Sequence, residues 1–268
     1  MVRRQLGTKL TPALPISLFA PGSPLHELLV GYKAAPSPRA RHERQALLSR
    51  LVGEFLKLHL PCILGKATDD RPATLAVPVP SSSGPRPSWG GEHPLVGLLG
   101  AALATEPALC LAPVIVKGTA TIGHLRANRQ GFRLIGPVAG RRVLVFDDTY
   151  TSGACAQSAA AALAGAGAEV VAIVPIGRLV HPDHNRATGA LWARQQRERF
   201  DARRCAGPCQ LWREMDSSSP LGPGADPLTE QQPPEAAGRA HQADHTQQAQ
   251  IGRMDEQHRT DDPRVEAA

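Results

Sequence analysis

The sequence predicts an α/β protein, an open and mostly parallel sheet flanked by helices, and three observations lead there. Short apolar runs rich in β-branched residues alternate with segments of helical spacing, the order that builds parallel sheets from strand-helix-strand units. One such run, Val143 to Phe146, stops abruptly at two acids, Asp147 and Asp148. Ala154 to Ala166 follows after a short polar turn and is dominated by alanine, the residue of highest helix propensity.

Taken in order, residues 1–24 read as a loosely ordered leader and His26 to Lys33 begins the ordered part of a domain spanning 25–200. Leu47, Leu48, Leu51, Val52, Phe55, Leu56 and Leu58 recur at helical spacing, with Arg44, Arg50, Glu54 and Lys57 among them. That pattern is an amphipathic helix covering one face of the sheet. Thr74 to Val79 is the next strand, stopped at Pro78-Val79-Pro80 because proline cannot donate to a ladder. Leu95 to Ala104 is a helix and Ala112 to Val116 a strand. Lys117 to Phe132 lacks the period of a crossover helix and reads as a flexible loop. After the strand at 143–146 and the alanine-rich helix, Val170 to Ile176 is a further strand. A C-terminal extension covers 201–215. From Asp216 the chain has hardly any large apolar residues, so 216–268 cannot offset the entropy of ordering and reads as a disordered tail.

Composition narrows the function classes. The 268 residues suffice for one α/β domain, and 42% hydrophobic content is enough for its core. A net charge of +6 favours anionic partners, yet the arginines are scattered and 4% aromatic content leaves few stacking platforms. Direct nucleic-acid binding is therefore not expected, and a phosphate-rich small molecule explains the sign equally well. Five cysteines without a regular framework point to a reducing compartment rather than a disulfide scaffold. No sustained apolar run approaches a membrane span, and Pro12, Pro15 and Pro21 interrupt the start of the chain. The expectation is a cytoplasmic protein with no membrane partner.

The chemistry is expected where the apolar run meets the acids. In an open parallel sheet, ligands bind in the crevice outside the carboxyl ends of the strands. Ionised Asp147 and Asp148 only accept hydrogen bonds and so suit sugar hydroxyls. Thr149 and Tyr150 lead to Thr151, Ser152, Gly153, Ala154 and Cys155, where the free N–H groups of a helix N-terminus favour a phosphate and glycine lets the backbone approach it. The same residues also describe an ordinary strand-to-helix turn with an N-cap.

The order apolar strand, Asp-Asp, two residues, Thr-Ser-Gly resembles the phosphoribosyl pyrophosphate motif of type I phosphoribosyltransferases. Within that family the chain is similar to the ComF-like branch over roughly residues 26–180. The matching blocks are Leu28-Leu29-Val30-Gly31-Tyr32-Lys33, Val77-Pro78-Val79-Pro80, Arg126 and Asn128 ahead of Phe132, and Asp147 through Ala154. The resemblance implies that fold, with Asp147 and Asp148 on the ribose hydroxyls and Thr151, Ser152 and Gly153 around the 5′-phosphate. It also implies Mg2+ as cofactor and transfer of the phosphoribosyl group to a nitrogen acceptor, with pyrophosphate released. The acceptor is unknown, and a homodimer stays open.

The family also keeps a pyrophosphate loop after the first strand, here Ser81, Ser82 and the following residues, with Arg86 either its contact or a solvated side chain. By the same resemblance, 117–132 matches the family's closing hood, with Lys117, His124, Arg126 and Arg129 facing pyrophosphate; a basic surface loop is the alternative. Arg178, His181 and His184 lie where relatives form the acceptor pocket, or simply cap the next helix. The chain departs from the family in three places: a four-cysteine zinc finger is absent, the arginine-rich stretch after Pro80 is largely replaced by Ser, Gly and Pro, and the arginine to asparagine spacing in the hood is compressed. Cys155 stands where the family has a hydroxyl, which is a stronger donor than a thiol. Cys205 and Cys209 supply only half a tetrahedral site, so no protein-held metal site is expected. A catalytically weak or inactive ComF-like binding protein, linked to competence and DNA uptake or to metabolite sensing, is the second reading.

Overall fold

A computed structural model describes residues 5–7, 9–65, 72–81, 93–198, 200–201 and 203. Strands β1 (Ser17–Phe19), β2 (Thr74–Pro78), β3 (Leu109–Leu111), β6 (Arg142–Tyr150) and β7 (Glu169–Leu179) form one sheet in the order β1-β7-β6-β2-β3. Every pairing in it is parallel. Strands β4 (Ile115–Lys117) and β5 (Phe132–Leu134) form a separate antiparallel ribbon. Helices α1 (Pro24–Ala34), α2 (Pro38–Leu64), α3 (Pro94–Leu103), α4 (Ala154–Gly165) and α5 (Arg186–Arg197) accompany them, with short 3-10 helices at Arg129–Gly131 and Pro182–His184. The expected α/β architecture is present. The tail, the Cys205 and Cys209 pair, Ser82 and Arg86 lie outside the described residues.

Alternation along the strands divides the core between the two faces of the sheet. Leu144, Phe146, Val174 and Ile176 pack with Leu48, Val52, Phe55 and Leu56 of α2 and with Leu95, Leu98 and Leu99 of α3. Val143, Val145 and Ile173 pack with Ala156, Ala159, Ala160 and Leu163 of α4. Helix α2 is longer than its leucine stripe suggested. Ser37 caps it by accepting from the Ala40 N–H, Pro38 occupies the first turn, and Leu47 and Leu58 of the expected apolar set lie exposed.

Three segments differ from expectation. Part of the expected leader is an integral edge strand: β1 pairs with β7 from Ser17↔Gly177 to Phe19↔Leu179, and Phe19 is buried. Leu14 and Ile16 already donate to Ile173 and Pro175, and the intervening Pro15 lacks an N–H on the outer side, where an edge strand needs none. Of the expected strand at 112–116 only Ile115 and Val116 are in a strand, and it is the ribbon strand β4. The strand that pairs with β2 lies earlier, at Leu109–Leu111; Pro113 cannot continue the ladder, so the chain leaves the sheet there. Finally, β6 does not stop at Phe146 but continues through both acids to Tyr150, because β7 runs beside it and supplies partners up to Arg178.

Candidate active site

The sheet order reverses at β2, which leads to β3 on one side and lies against β6 on the other. That reversal opens a crevice at the carboxyl ends of β2 and β6. Strand β2 ends at Pro78, opposite Phe146, and the Val79 N–H donates to the Phe146 carbonyl at 2.8 Å. Asp147 and Asp148 therefore project beyond β2 while still paired to β7.

Consecutive strand residues face opposite ways, so the two acids serve different faces of the sheet. Asp148 shares the face of Leu144 and Phe146, where α1 packs. The Tyr32 hydroxyl donates to its carboxylate, and the Lys33 ammonium pairs with the same oxygen. The Lys33 ammonium also stands 5.4 Å from the centre of the Tyr32 ring. Burial pushes the Asp148 carboxyl upward, but the Lys33 charge and the hydrogen bonds from Lys33 and Tyr32 outweigh it and hold the group below the usual range. Asp147 shares the face of Val143 and Val145, with α4. Burial and then the Asp148 charge raise its carboxyl from 3.8 to about 7, against the pull of Lys33 and of the Asp148 and Thr149 backbone N–H groups. Two adjacent carboxyls are thus driven apart, one held ionised and one able to keep its proton near neutrality.

The same centre perturbs its neighbours. Burial, followed by the acids and their hydrogen bond, raises the Tyr32 hydroxyl well above its ordinary value. His93 accepts from the Leu95 N–H at 3.2 Å as the cap of α3, and burial with the Lys33 charge lowers its imidazole to about 4 despite Asp148. Burial and the two acids push the Cys155 thiol up to about 12.

The turn into α4 is shaped by Tyr150. Gly153 is the N-cap with φ +78°, and a Cβ there would collide with the Tyr150 hydroxyl. Ser152 donates to the His124 carbonyl, which ties the turn to the segment between β4 and β5. The Asn128 N–H donates to Ser158 of α4 at 2.9 Å, and the Ala127 N–H to Gln5 at 2.7 Å. The expected loop at 117–132 is thus the head of a short ribbon seated on the start of α4. Ser81, Lys117, Thr119, Ile122, Phe132 and Cys155 line a cleft of about 130 Å3 beneath it.

Several expected site residues therefore come together. Asp147, Asp148, Thr149, Tyr150, Thr151, Ser152, Gly153, Ala154 and Cys155 form the end of β6 and the turn, and Ser81 and Lys117 meet Cys155 in the cleft. His124, Arg126 and Arg129 are exposed on the ribbon head. Of the residues considered for an acceptor, His181 lines a different cavity of about 590 Å3, walled by Ser23, Pro24, Trp192 and Gln195. Arg178 and His184 are exposed. Tyr32 and Lys33 were inside a matching block but carried no assigned role, and His93 was missed altogether. The His93-Pro94 dipeptide, a cap before proline at the first helical turn, was its available signal.

No protein-family model matches the chain, and no curated protein matches it.

Proposed function

We propose that this protein binds phosphoribosyl pyrophosphate and transfers its phosphoribosyl group to a nitrogen nucleophile. One observation carries the reading: an acid pair and a glycine-opened helix N-terminus lie side by side at the point where the strand order reverses. In the proposed reaction the bond from the anomeric carbon to pyrophosphate breaks, with its electrons leaving on the pyrophosphate oxygen. The nitrogen lone pair forms the new bond, and the proton on nitrogen passes to solvent.

The chain's residues position and stabilise. Asp147 and Asp148 accept from the ribose hydroxyls, and the negative charge of Asp148, held ionised, favours the cationic character that develops on the sugar. The N–H groups opening α4 hold the 5′-phosphate. The ribbon head over the cleft limits water at a centre that water would hydrolyse.

Mg2+ is compatible with this donor set. Burial and the Asp148 charge outweigh the pull of Lys33 and raise the Asp147 carboxyl, so a cation bound beside it would favour its ionised form, and Mg2+ characteristically takes one or two carboxylates together with substrate phosphates. Asp147 is the residue that would hold the ion, which when bound neutralises charge on the leaving pyrophosphate. Cys110 and Cys155 are free thiols, in accord with a cytoplasmic setting. Among the described residues no helix is long and apolar enough to cross a membrane.

Calorimetric titration with phosphoribosyl pyrophosphate and magnesium tests the reading. Saturable binding is expected for the wild type and its loss for the Asp147→Asn, Asp148→Asn double variant; a folded wild type that does not bind refutes the proposal. A second reading, a ligand sensor with little transfer activity, is favoured by the Lys33 pairing with Asp148 and by the thiol at Cys155. Binding without pyrophosphate release across a panel of amines and nucleobases would select it.

A further inference from the structure

Lys33 is not used by the scheme above, yet it stands at the electrostatic centre of the site. It enters from the last turn of α1, and its ammonium pairs with Asp148 beside the Tyr32 hydroxyl. It also influences Asp147, His93 and Cys155. Asp148 is buried and Lys33 mostly so. A ligand hydroxyl that displaced the ammonium from Asp148 would strand a partly desolvated cation unless the ligand supplied a replacement anion. Helix α4 packs with Val143 and Val145, on the face of the sheet opposite Leu144, Phe146 and α1, so a phosphate held at the opening of α4 lies across strand β6 from the Lys33–Asp148 pair and a separate anionic group is the better replacement.

Building on the proposed function, we infer that Lys33 is a specificity-determining residue that pairs with Asp148 in the free protein and transfers to a second anionic group of the ligand on binding. The site then selects molecules that carry hydroxyl donors for the acids, one phosphate for the α4 turn and a further anionic group for Lys33. Sugars with a single phosphate satisfy two of these three requirements and are discriminated against.

The test uses the full chain with Lys33→Met, which keeps the length of the stem without its charge, and Lys33→Arg, which keeps the cation. Calorimetry with magnesium reads phosphoribosyl pyrophosphate and ribose 5-phosphate separately, and circular dichroism checks that each variant is folded. Lys33→Met is expected to reduce the preference for phosphoribosyl pyrophosphate over ribose 5-phosphate by about thirtyfold, and Lys33→Arg to restore most of it. An unchanged preference in folded Lys33→Met, or equal loss for both ligands, overturns the role of Lys33 and leaves the proposed function standing. Failure of the wild type to bind phosphoribosyl pyrophosphate overturns both.

Discussion

Replacing Asp147 with asparagine separates the cost of burying a charge from the benefit of using it. The carboxyl rises from 3.8 to about 7 on folding. A group raised in this way contributes stability that is fully present below its unfolded value and is lost as pH rises through its folded value. The sensitive window therefore runs from about pH 4 to about pH 7. Across it the folded state gives up about 4 kcal/mol at 1.36 kcal/mol per unit of pH. Asparagine has no charge to bury, and the bonds from the Asp148 and Thr149 N–H groups to the charged form are already contained in the shift. Asp147→Asn should then be about 4 kcal/mol more stable than wild type at pH 8 and about 2 kcal/mol more stable at pH 5. Urea denaturation of both proteins at several pH values measures the difference directly. An offset that does not change with pH, or a variant less stable at pH 8, would falsify the account of Asp147. The same variant should lose phosphoribosyl pyrophosphate binding, so stability and ligand affinity move in opposite directions.

The remaining predictions concern the turn, the thiols and the edge strand. Gly153→Ala should destabilise the protein by about 2 kcal/mol, since it combines a positive φ with the collision against Tyr150; adding Tyr150→Ala should recover the steric part, measured by thermal unfolding. Cys155, whose thiol is pushed up to about 12, should resist alkylation at pH 8 while exposed Cys110 reacts, and peptide mass spectrometry would expose a comparable rate as an error. Phe19→Ala should cost about 3 kcal/mol in urea denaturation, because the ring is buried against the core; a loss below 1 kcal/mol would mean that β1 contributes little.

How much was legible in the sequence depended on whether the signal was local. The run from Val143 through Cys155 carried its own strand, acids, glycine and helix, so the end of β6 and the turn were readable from consecutive residues. Lys33 was not, because its partner lies 115 positions away and nothing near Lys33 announces a buried carboxylate. Strand β1 was hidden for the opposite reason: its local signal pointed the wrong way. Prolines argue against strands in general, but not at an edge where only alternate residues donate. The exit from the sheet at Pro113 was legible in principle, since one proline inside a short apolar run is enough to end a ladder. The extension of β6 past Phe146 was set by the length of β7, which the acids themselves do not encode.

The pairing of β1 with β7 also bears on how the chain is made. Ser17 meets Gly177, so β1 must wait for about 160 further residues to be synthesised before its partner exists. At roughly 5–20 residues per second that is about 8–32 s, far longer than a hairpin or helix needs to form. Strands β2, β3 and β6 can pair during that interval, whereas Leu18 and Phe19 have no sheet to join. The N-terminal edge is consequently the last to close, and a nascent chain stalled before residue 179 would present an apolar strand together with the unpaired flank of β6. Chaperone capture should concentrate on that stretch of synthesis.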